Sequence, residues 1–91
     1  MRSPWIITKT WIKESNWGNQ EPVNIQSTNY DKENLSTKSF RFRLYDDDHN
    51  LYFEGTFYGD SPDFEPLYDY GKAFGCTIMK YLESNGIWEE V

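Results

Sequence analysis

The chain has 91 residues, the size of one small domain, and a formal net charge of −6. Its 4 Trp, 7 Tyr and 6 Phe exclude a disordered chain, because aromatic side chains supply the apolar area that disordered segments lack. The single cysteine excludes a disulfide scaffold, and no apolar run approaches the ~20 residues of a membrane-spanning helix. We therefore predict one domain over residues 1–91, with no membrane partner.

The cysteine content and the first residues favour the cytoplasm. Cys76 has no second cysteine with which to form an internal disulfide, which fits a reducing compartment. The first nine residues hold one short apolar stretch, less than the roughly 7–15 apolar residues of a secretory signal. We expect a cytoplasmic protein, and the composition leaves its oligomeric state open.

Two strands and at most one short helix are predicted in the first 39 residues. Residues 4–13 combine β-branched and aromatic side chains, which favour a strand, and residues 23–25 fit a second, shorter one. Residues 26–39 are mostly polar. Thr28 followed three residues later by Asp31 loosely matches a capping box, so this segment is the candidate for the helix.

A β-hairpin is the clearest signal in the chain. The runs at residues 40–44 and 51–57 both alternate between apolar side chains and their neighbours on the other face. A turn over residues 46–49 brings the two runs together with the apolar side chains on one face. The pairs expected across it are Leu44 with Leu51, Phe42 with Phe53, Arg41 with Glu54 and Arg43 with Tyr52.

A second hairpin is predicted at residues 76–91, where Asn85-Gly86 is a strong turn dipeptide. A four-residue loop over residues 83–86 pairs Leu82 with Ile87. Residues 59–75, between the hairpins, contain three Gly and two Pro and fit a long ordered loop. The predicted fold class is mainly β: a small antiparallel sheet of about five to six strands, strongly curved or barrel-like at its most closed, with at most one short helix.

No catalytic, cofactor or metal site is predicted. Asp46, Asp48 and Asn50 match the first three ligand positions of a calcium loop, but the glycine and the bidentate glutamate that such a loop needs are missing. Acidic and amide side chains also build tight hairpin loops by bonding their own backbone, which is the interpretation we prefer. Nothing in the spacing brings His49, the only histidine, to Cys76, and we expect this cysteine to be a small buried hydrophobe.

The acidic–aromatic region, residues 46–70, is the strongest functional signal. Residues 46–69 carry eight Asp and Glu and no Lys or Arg, so they would repel nucleic-acid phosphates and attract a basic protein surface. Aromatic side chains among the acids are typical anchors of protein interfaces. We expect a non-catalytic binding or regulatory module with a basic protein partner and no direct nucleic-acid contact. The expected partner-binding residues are Asp60, Asp63, Phe64, Glu65, Tyr68 and Asp69.

Three other interpretations of these residues stay open. The acids can serve as a plain solubilising surface. A small-ligand or carbohydrate-binding β domain could stack its ligand on Trp5, Trp11 and Trp17, and it should show a concave aromatic pocket. A small hydrolase could use paired carboxylates from among Glu54, Asp63, Glu65 and Asp69, which should face each other across a cleft with one pKa raised.

Three stretches carry a resemblance. The sequence reads LYDDDHNLYFEG at residues 44–55, FEPLYDYG at residues 64–71 and GCT at residues 75–77. This pattern resembles one shared by short bacterial proteins of unknown function that have no named family, in which the loop position held here by His49 or Asn50 is often glycine. The resemblance implies no activity, cofactor or partner, and it suggests that residues 40–91 form one structural unit.

Overall fold

The computed structural model describes residues 3–11, 21–61 and 63–91. Six strands form one antiparallel sheet, which confirms the predicted mainly β class. The strands are β1 Trp5–Thr10, β2 Glu21–Gln26, β3 Ser39–Tyr45, β4 Leu51–Tyr58, β5 Ile78–Leu82 and β6 Trp88–Glu90. A five-residue helix, α1 Glu65–Asp69, and the 3₁₀ turn Gly71–Phe74 connect β4 to β5.

The sheet is open rather than barrel-like. Its strand order is β2-β1-β4-β3-β5-β6, and within the described residues the two edge strands β2 and β6 each pair on one side only. The barrel-like form of the prediction is therefore wrong. Strands β4, β3, β5 and β6 are contiguous in the sheet, and the β1–β2 hairpin adds to them along β4.

The core lies on one face of the sheet, which we call the core face. Alternation along β3 and β4 sends Phe42, Leu44, Phe53 and Phe57 to this face, and all four are buried. Leu67 of α1 and Cys76 after the 3₁₀ turn pack against these side chains and are buried with them. The connection from β4 to β5 thus crosses the core face and closes it.

Two glycines permit this close packing. A Cβ at Gly55 in the middle of β4 would collide with the carbonyl oxygen of Ile6 and lie 2.8 Å from Cζ of Phe42. A Cβ at Gly71 would lie 2.9 Å from Cδ1 of Leu44. Both positions therefore need a residue without a side chain, because backbone and core side chains occupy the space.

Both hairpins close with the same turn, and this corrects their predicted registers. In the first, the backbone carbonyl oxygen of Asp46 accepts a hydrogen bond from the His49 amide at 3.0 Å, and His49 has a left-handed φ of 64°. In the second, the backbone carbonyl oxygen of Glu83 accepts a hydrogen bond from the Gly86 amide at 2.9 Å, and Gly86 has a φ of 83°. This is the three-residue loop with a left-handed residue at a bulge.

In the first hairpin the predicted pairs are wrong by two residues. Leu44 pairs with Phe53, Phe42 with Gly55 and Arg43 with Glu54. Beyond the turn, a shift of two leaves residues 53–57 on their predicted faces, since the side-chain repeat of a strand is two residues, but Leu51 pairs with Tyr45 and not with the core-facing Leu44. One residue of the shift arises in the turn, and the other at the register shift between Leu44 and Tyr45, where β4 has one residue more than β3; the sequence pattern reveals neither.

In the second hairpin the prediction is wrong by one residue, which reverses a face. Leu82 pairs with Trp88 and Tyr81 with Glu89. Glu83 and Ile87 close the three-residue loop 84–86, because the Glu83 amide donates to the carbonyl oxygen of Ile87 at 2.9 Å, and the next pair outward is therefore Leu82 with Trp88. Trp88, which the predicted register pairs with Tyr81, pairs with Leu82 instead and lies on the face of the sheet away from the core.

The helix lies at residues 65–69, inside the segment predicted as a loop. Pro66 in its first turn suits a helix start, because a proline there gives up an amide that would be unbonded anyway. Residues 26–39, all described, form turns and the start of β3 but no helix. There the carboxylate of Asp31 accepts from the amide of Glu33 and the side chain of Asn34, which favours a turn over a helix.

Nowhere in residues 3–11, 21–61 and 63–91 is there a helix with the length and apolar character needed to cross a membrane.

Candidate functional site

The acidic–aromatic region divides among three places in the structure. Residues 46–48 lie in the β3–β4 turn at one end of β4. Residues 60–69 begin at the other end of β4 and continue through α1. Glu54 lies in β4 itself, opposite Arg43 and on the face away from the core. The eight acids therefore do not form one continuous surface.

Four of the six expected partner-binding residues are exposed: Asp60, Asp63, Tyr68 and Asp69. The exposed fraction of Tyr68 is 61%. The ring of Phe64 is half-buried and stacks on Tyr68 with centroids 5.7 Å apart. The hydroxyl of Tyr81 fixes the backbone beneath them by donating to the carbonyl oxygen of Asp63 at 2.6 Å. A buried tyrosine thus fixes the backbone at Asp63, next to the aromatic pair.

Glu65 and Asp69, also among the expected partner-binding residues, connect α1 to the start of β1 through hydrogen bonds. The Glu65 carboxylate accepts from the Ser3 amide at 3.1 Å. The Asp69 carboxylate accepts from Nε1 of the buried Trp5 at 3.2 Å. Both carboxylates therefore have a structural role, whatever else they contact.

Two shallow clefts flank the start of β1, and each has a carboxylate and an aromatic side chain in its wall. The first, of about 360 Å³, is lined by Pro4, Leu35, Tyr58 and Asp60 among others. The second, of about 310 Å³, is lined by Trp5, Ser27, Asp69 and Tyr70 among others. Carboxylates beside aromatic rings suit a lysine or arginine side chain, which can use both.

The sheet face away from the core, which we call the open face, carries a row of charges that crosses five strands. The paired positions are Glu90 in β6, Lys80 in β5, Arg43 in β3, Glu54 in β4 and Lys9 in β1. Arg41 stands two residues before Arg43 on the same face. Four of the nine Lys and Arg of the chain thus lie on this face.

Glu54 is the centre of this row. Its carboxylate accepts from Nη2 of Arg41 and Nε of Arg43, each at 2.8 Å, and lies 3.5 Å from Nζ of Lys9. Although Glu54 is only 2% exposed, burial does not neutralise it. Burial works to raise the pKa of Glu54, but the bonds from Arg43 and Arg41 outweigh it, and the pKa lies below its ordinary value.

Aromatic rings cover two of the cations. The guanidinium carbon of Arg43 lies 4.2 Å from the ring centroid of Trp88, and Nζ of Lys80 lies 5.0 Å from that of Tyr45. The sequence indicated only the Arg41–Glu54 contact. Lys9 and Lys80 reach the row through strand pairings between distant parts of the chain, which a local pattern does not reveal.

The β3–β4 turn uses its acids internally. The Asp46 carboxylate accepts from the amides of Asp48 and Asn50, each at 2.9 Å, and from the Asn50 side chain at 3.1 Å. These bonds lower the pKa of Asp46, the Asn50 amide contributing most. In the described part of the chain, no three His, Cys, Asp or Glu side chains are grouped to hold a metal ion. The geometry is that of a self-bonded turn.

Cys76 and His49 occupy unlike surroundings. Cys76 is 1% exposed, and burial raises the pKa of its thiol to about 12, with a smaller contribution from the charge of Asp46. His49 is exposed in the turn. A buried, protonated thiol is a poor nucleophile, so this pair does not supply a catalytic cysteine.

The structure describes two of the three tryptophans of the expected stacking platform and all four acids considered for hydrolysis. Trp5 is buried in the core and Trp11 is half-buried, whereas Trp17 lies outside the described residues. Of the acids considered for hydrolysis, Glu54 lies on the open face, and Glu65 bonds to the chain before β1 on the other side. These two carboxylates do not face each other across a cleft.

The chain matches no known protein-family model, and searches of curated proteins and of solved structures return no match to it.

Proposed function

We propose that this protein is a non-catalytic binding or regulatory module that contacts a basic protein partner through its acidic–aromatic region. The contact surface would be the part of that region at the start of β1 and the end of β4. Asp60, Asp63 and Tyr68 would meet the partner first, with Phe64 behind Tyr68.

The observation that carries this proposal is the exposure of Tyr68 among acids. A five-residue helix that buries Pro66 and Leu67 keeps Tyr68 61% exposed, stacked on Phe64. Tyrosines in this setting are frequent anchors of protein interfaces, because the ring brings apolar area and the hydroxyl a hydrogen bond. An acidic surface that served solubility alone has no need of this aromatic pair.

The clefts beside β1 support the same surface. Asp60 stands in the wall of one and Asp69 in the wall of the other, and Trp5, Tyr58 and Tyr70 supply aromatic faces. An arginine or lysine of the partner could enter either cleft. The surrounding negative charge would speed association and make it sensitive to salt.

The test is affinity capture from a native lysate, washed at low and then higher salt. The informative variant is Asp60→Asn with Asp63→Asn, because both side chains are exposed, whereas changes at Glu65 or Asp69 would also loosen α1. We expect one dominant basic protein that salt releases and that this double variant fails to retain.

The matched control is Glu89→Gln with Glu90→Gln, which removes the same charge from the exposed edge strand β6. It should retain the partner as the parent protein does. Equal loss of the partner from both double variants would show that only total charge matters. That result, or retention of the partner by both, would contradict the proposal.

A further inference from the structure

We infer that the open face of the sheet is a second docking surface, which binds an acidic segment of another protein through Arg41 and Lys9. This surface lies on the opposite side of the sheet from α1. It uses none of Asp60, Asp63, Phe64 and Tyr68, the residues of the proposed contact surface.

The first observation is unmatched positive charge. Among the described strand residues of the open face, Lys9, Arg41, Arg43 and Lys80 face only two carboxylates, those of Glu54 and Glu90. Among these strand residues the cations exceed the carboxylates by two, although the net charge of the chain is −6. A local excess of the opposite sign selects an anionic partner at short range.

The second observation is that two of these cations are both exposed and held in place. The side chain of Arg41 is 53% exposed and that of Lys9 is 38% exposed. Both contact the same oxygen, Oε2 of Glu54, which is buried. Glu54 therefore acts as a positioning residue that brings a guanidinium and an ammonium close enough for one further carboxylate to bridge them.

The third observation is a notch next to Arg41, where β3 extends past the end of β5. It has a volume of about 410 Å³ and is lined by Ser39, Phe40, Arg41, Leu82, Glu83 and Ser84. Phe40 and Leu82 make part of the wall apolar, and Glu83 would repel a second carboxylate there. An apolar side chain is the suitable occupant, so the segment should carry acidic and apolar residues in alternation.

A protein segment fits this surface better than a nucleic acid does. One carboxylate bridges Arg41 and Lys9, and Glu83 repels a second one at the notch, whereas a nucleic acid brings a phosphate with every nucleotide and meets the negative field of the whole chain. The arginines of this face already bind a carboxylate in Glu54. We therefore assign the surface to carboxylates.

The test uses three fluorescently labelled probes with the full chain: a peptide of alternating Glu and Leu, the same peptide with Gln for Glu, and an oligothymidylate of equal length. Anisotropy measures binding, and amide chemical shifts of the parent protein locate it. We expect the Glu peptide to bind, to shift amides of β1 and β3, and to bind about fivefold more weakly to the Arg41→Gln variant.

Lys32→Gln is the matched control, since it removes an exposed cation from the loop between β2 and β3. It should leave peptide affinity unchanged. Equal binding of the Glu and Gln peptides, tighter binding of the oligothymidylate, or shifts confined to residues 58–70 would each overturn the inference. The shift map of the parent protein decides the matter even where the Arg41→Gln variant is less stable.

Discussion

Glu54 holds three strands together from the open face of the sheet. Its carboxylate binds Lys9 of β1 and Arg41 and Arg43 of β3 while itself lying in β4. A buried carboxylate with three cationic neighbours stabilises the fold only while it is charged, because removing the charge leaves the cations without a partner. This residue makes the open face dependent on one side chain.

We expect Glu54→Gln to lower the free energy of unfolding by about 2–3 kcal/mol, since charged hydrogen bonds are lost and Arg43 stays half-buried. Urea denaturation measures the change. The control is Glu90→Gln, which lies in the same row but on the exposed edge strand and should change stability by less than about 0.5 kcal/mol. Equal losses in the free energy of unfolding for the two variants would show that the burial of Glu54 does not increase its contribution to stability.

The pH dependence of stability follows from the same carboxylate. Because the pKa of Glu54 is lower in the folded chain than its ordinary value of 4.5, its contribution is fully present above pH 4.5 and is lost as the pH falls through the folded pKa. We expect the melting temperature of the parent protein to fall more steeply below pH 4.5 than that of Glu54→Gln. Parallel curves for the two proteins would contradict this account.

At the scale of the element, the two hairpins offer a direct comparison of one turn with two residues. His49 and Gly86 occupy the same left-handed position, with φ of 64° and 83°. The left-handed conformation costs a residue with a side chain about 1–2 kcal/mol of folding free energy. Glycine avoids this cost but loses more conformational entropy on folding, so its net advantage is smaller. His49→Gly should therefore stabilise the protein by about 0.5 kcal/mol, and Gly86→Ala should destabilise it by about 1 kcal/mol.

Differential scanning calorimetry of both variants measures these opposite shifts. A lower melting temperature for His49→Gly would mean that the imidazole makes a stabilising contact which outweighs the strain of its backbone.

Helix α1 has one side chain that serves the core and an adjacent one that serves the surface. Leu67 is 5% exposed, and Tyr68 is 61% exposed. Leu67→Ala should cost about 2–4 kcal/mol because it leaves a cavity under the helix. Tyr68→Ala should cost no more than about 1 kcal/mol, since its ring is mostly exposed and its contacts with Phe64 and Lys72 lie at the surface.

Denaturation curves of these two variants distinguish an anchor of the core from an anchor of an interface. A large loss of stability for Tyr68→Ala would show that its ring holds the helix, and would remove it from the proposed contact surface.

Local patterns predicted the elements better than their connections. The alternation in residues 40–44 and 53–57 predicted which side chains face the core, and a register error of two residues left those faces intact, although Leu51 pairs with Tyr45 and not with Leu44. In the second hairpin a register error of one residue moved Trp88 from opposite Tyr81 to opposite Leu82, and so to the other face of the sheet. Helix α1 was missed because five residues with one buried leucine show no helical periodicity.

At the scale of the whole molecule, the sheet separates two kinds of surface. The side that carries α1 presents Asp60, Asp63 and Tyr68, and the open face presents Arg41 and Lys9. The sequence revealed the first, because its acids and aromatics are adjacent in the chain. It concealed the second, because the cations of the open face come from three strands and meet only when distant segments pair.

The proposed contact surface can be tested with a defined basic probe. Amide chemical shifts of the full chain would be followed while hexa-arginine is added at low salt. We predict that the shifts concentrate around Asp60, Asp63 and Tyr68 and in the two clefts beside β1, and that added salt reverses them. Equal shifts at every exposed acid, including Glu83, Glu89 and Glu90, would show that the acids act as a solubilising surface and would contradict the proposed function.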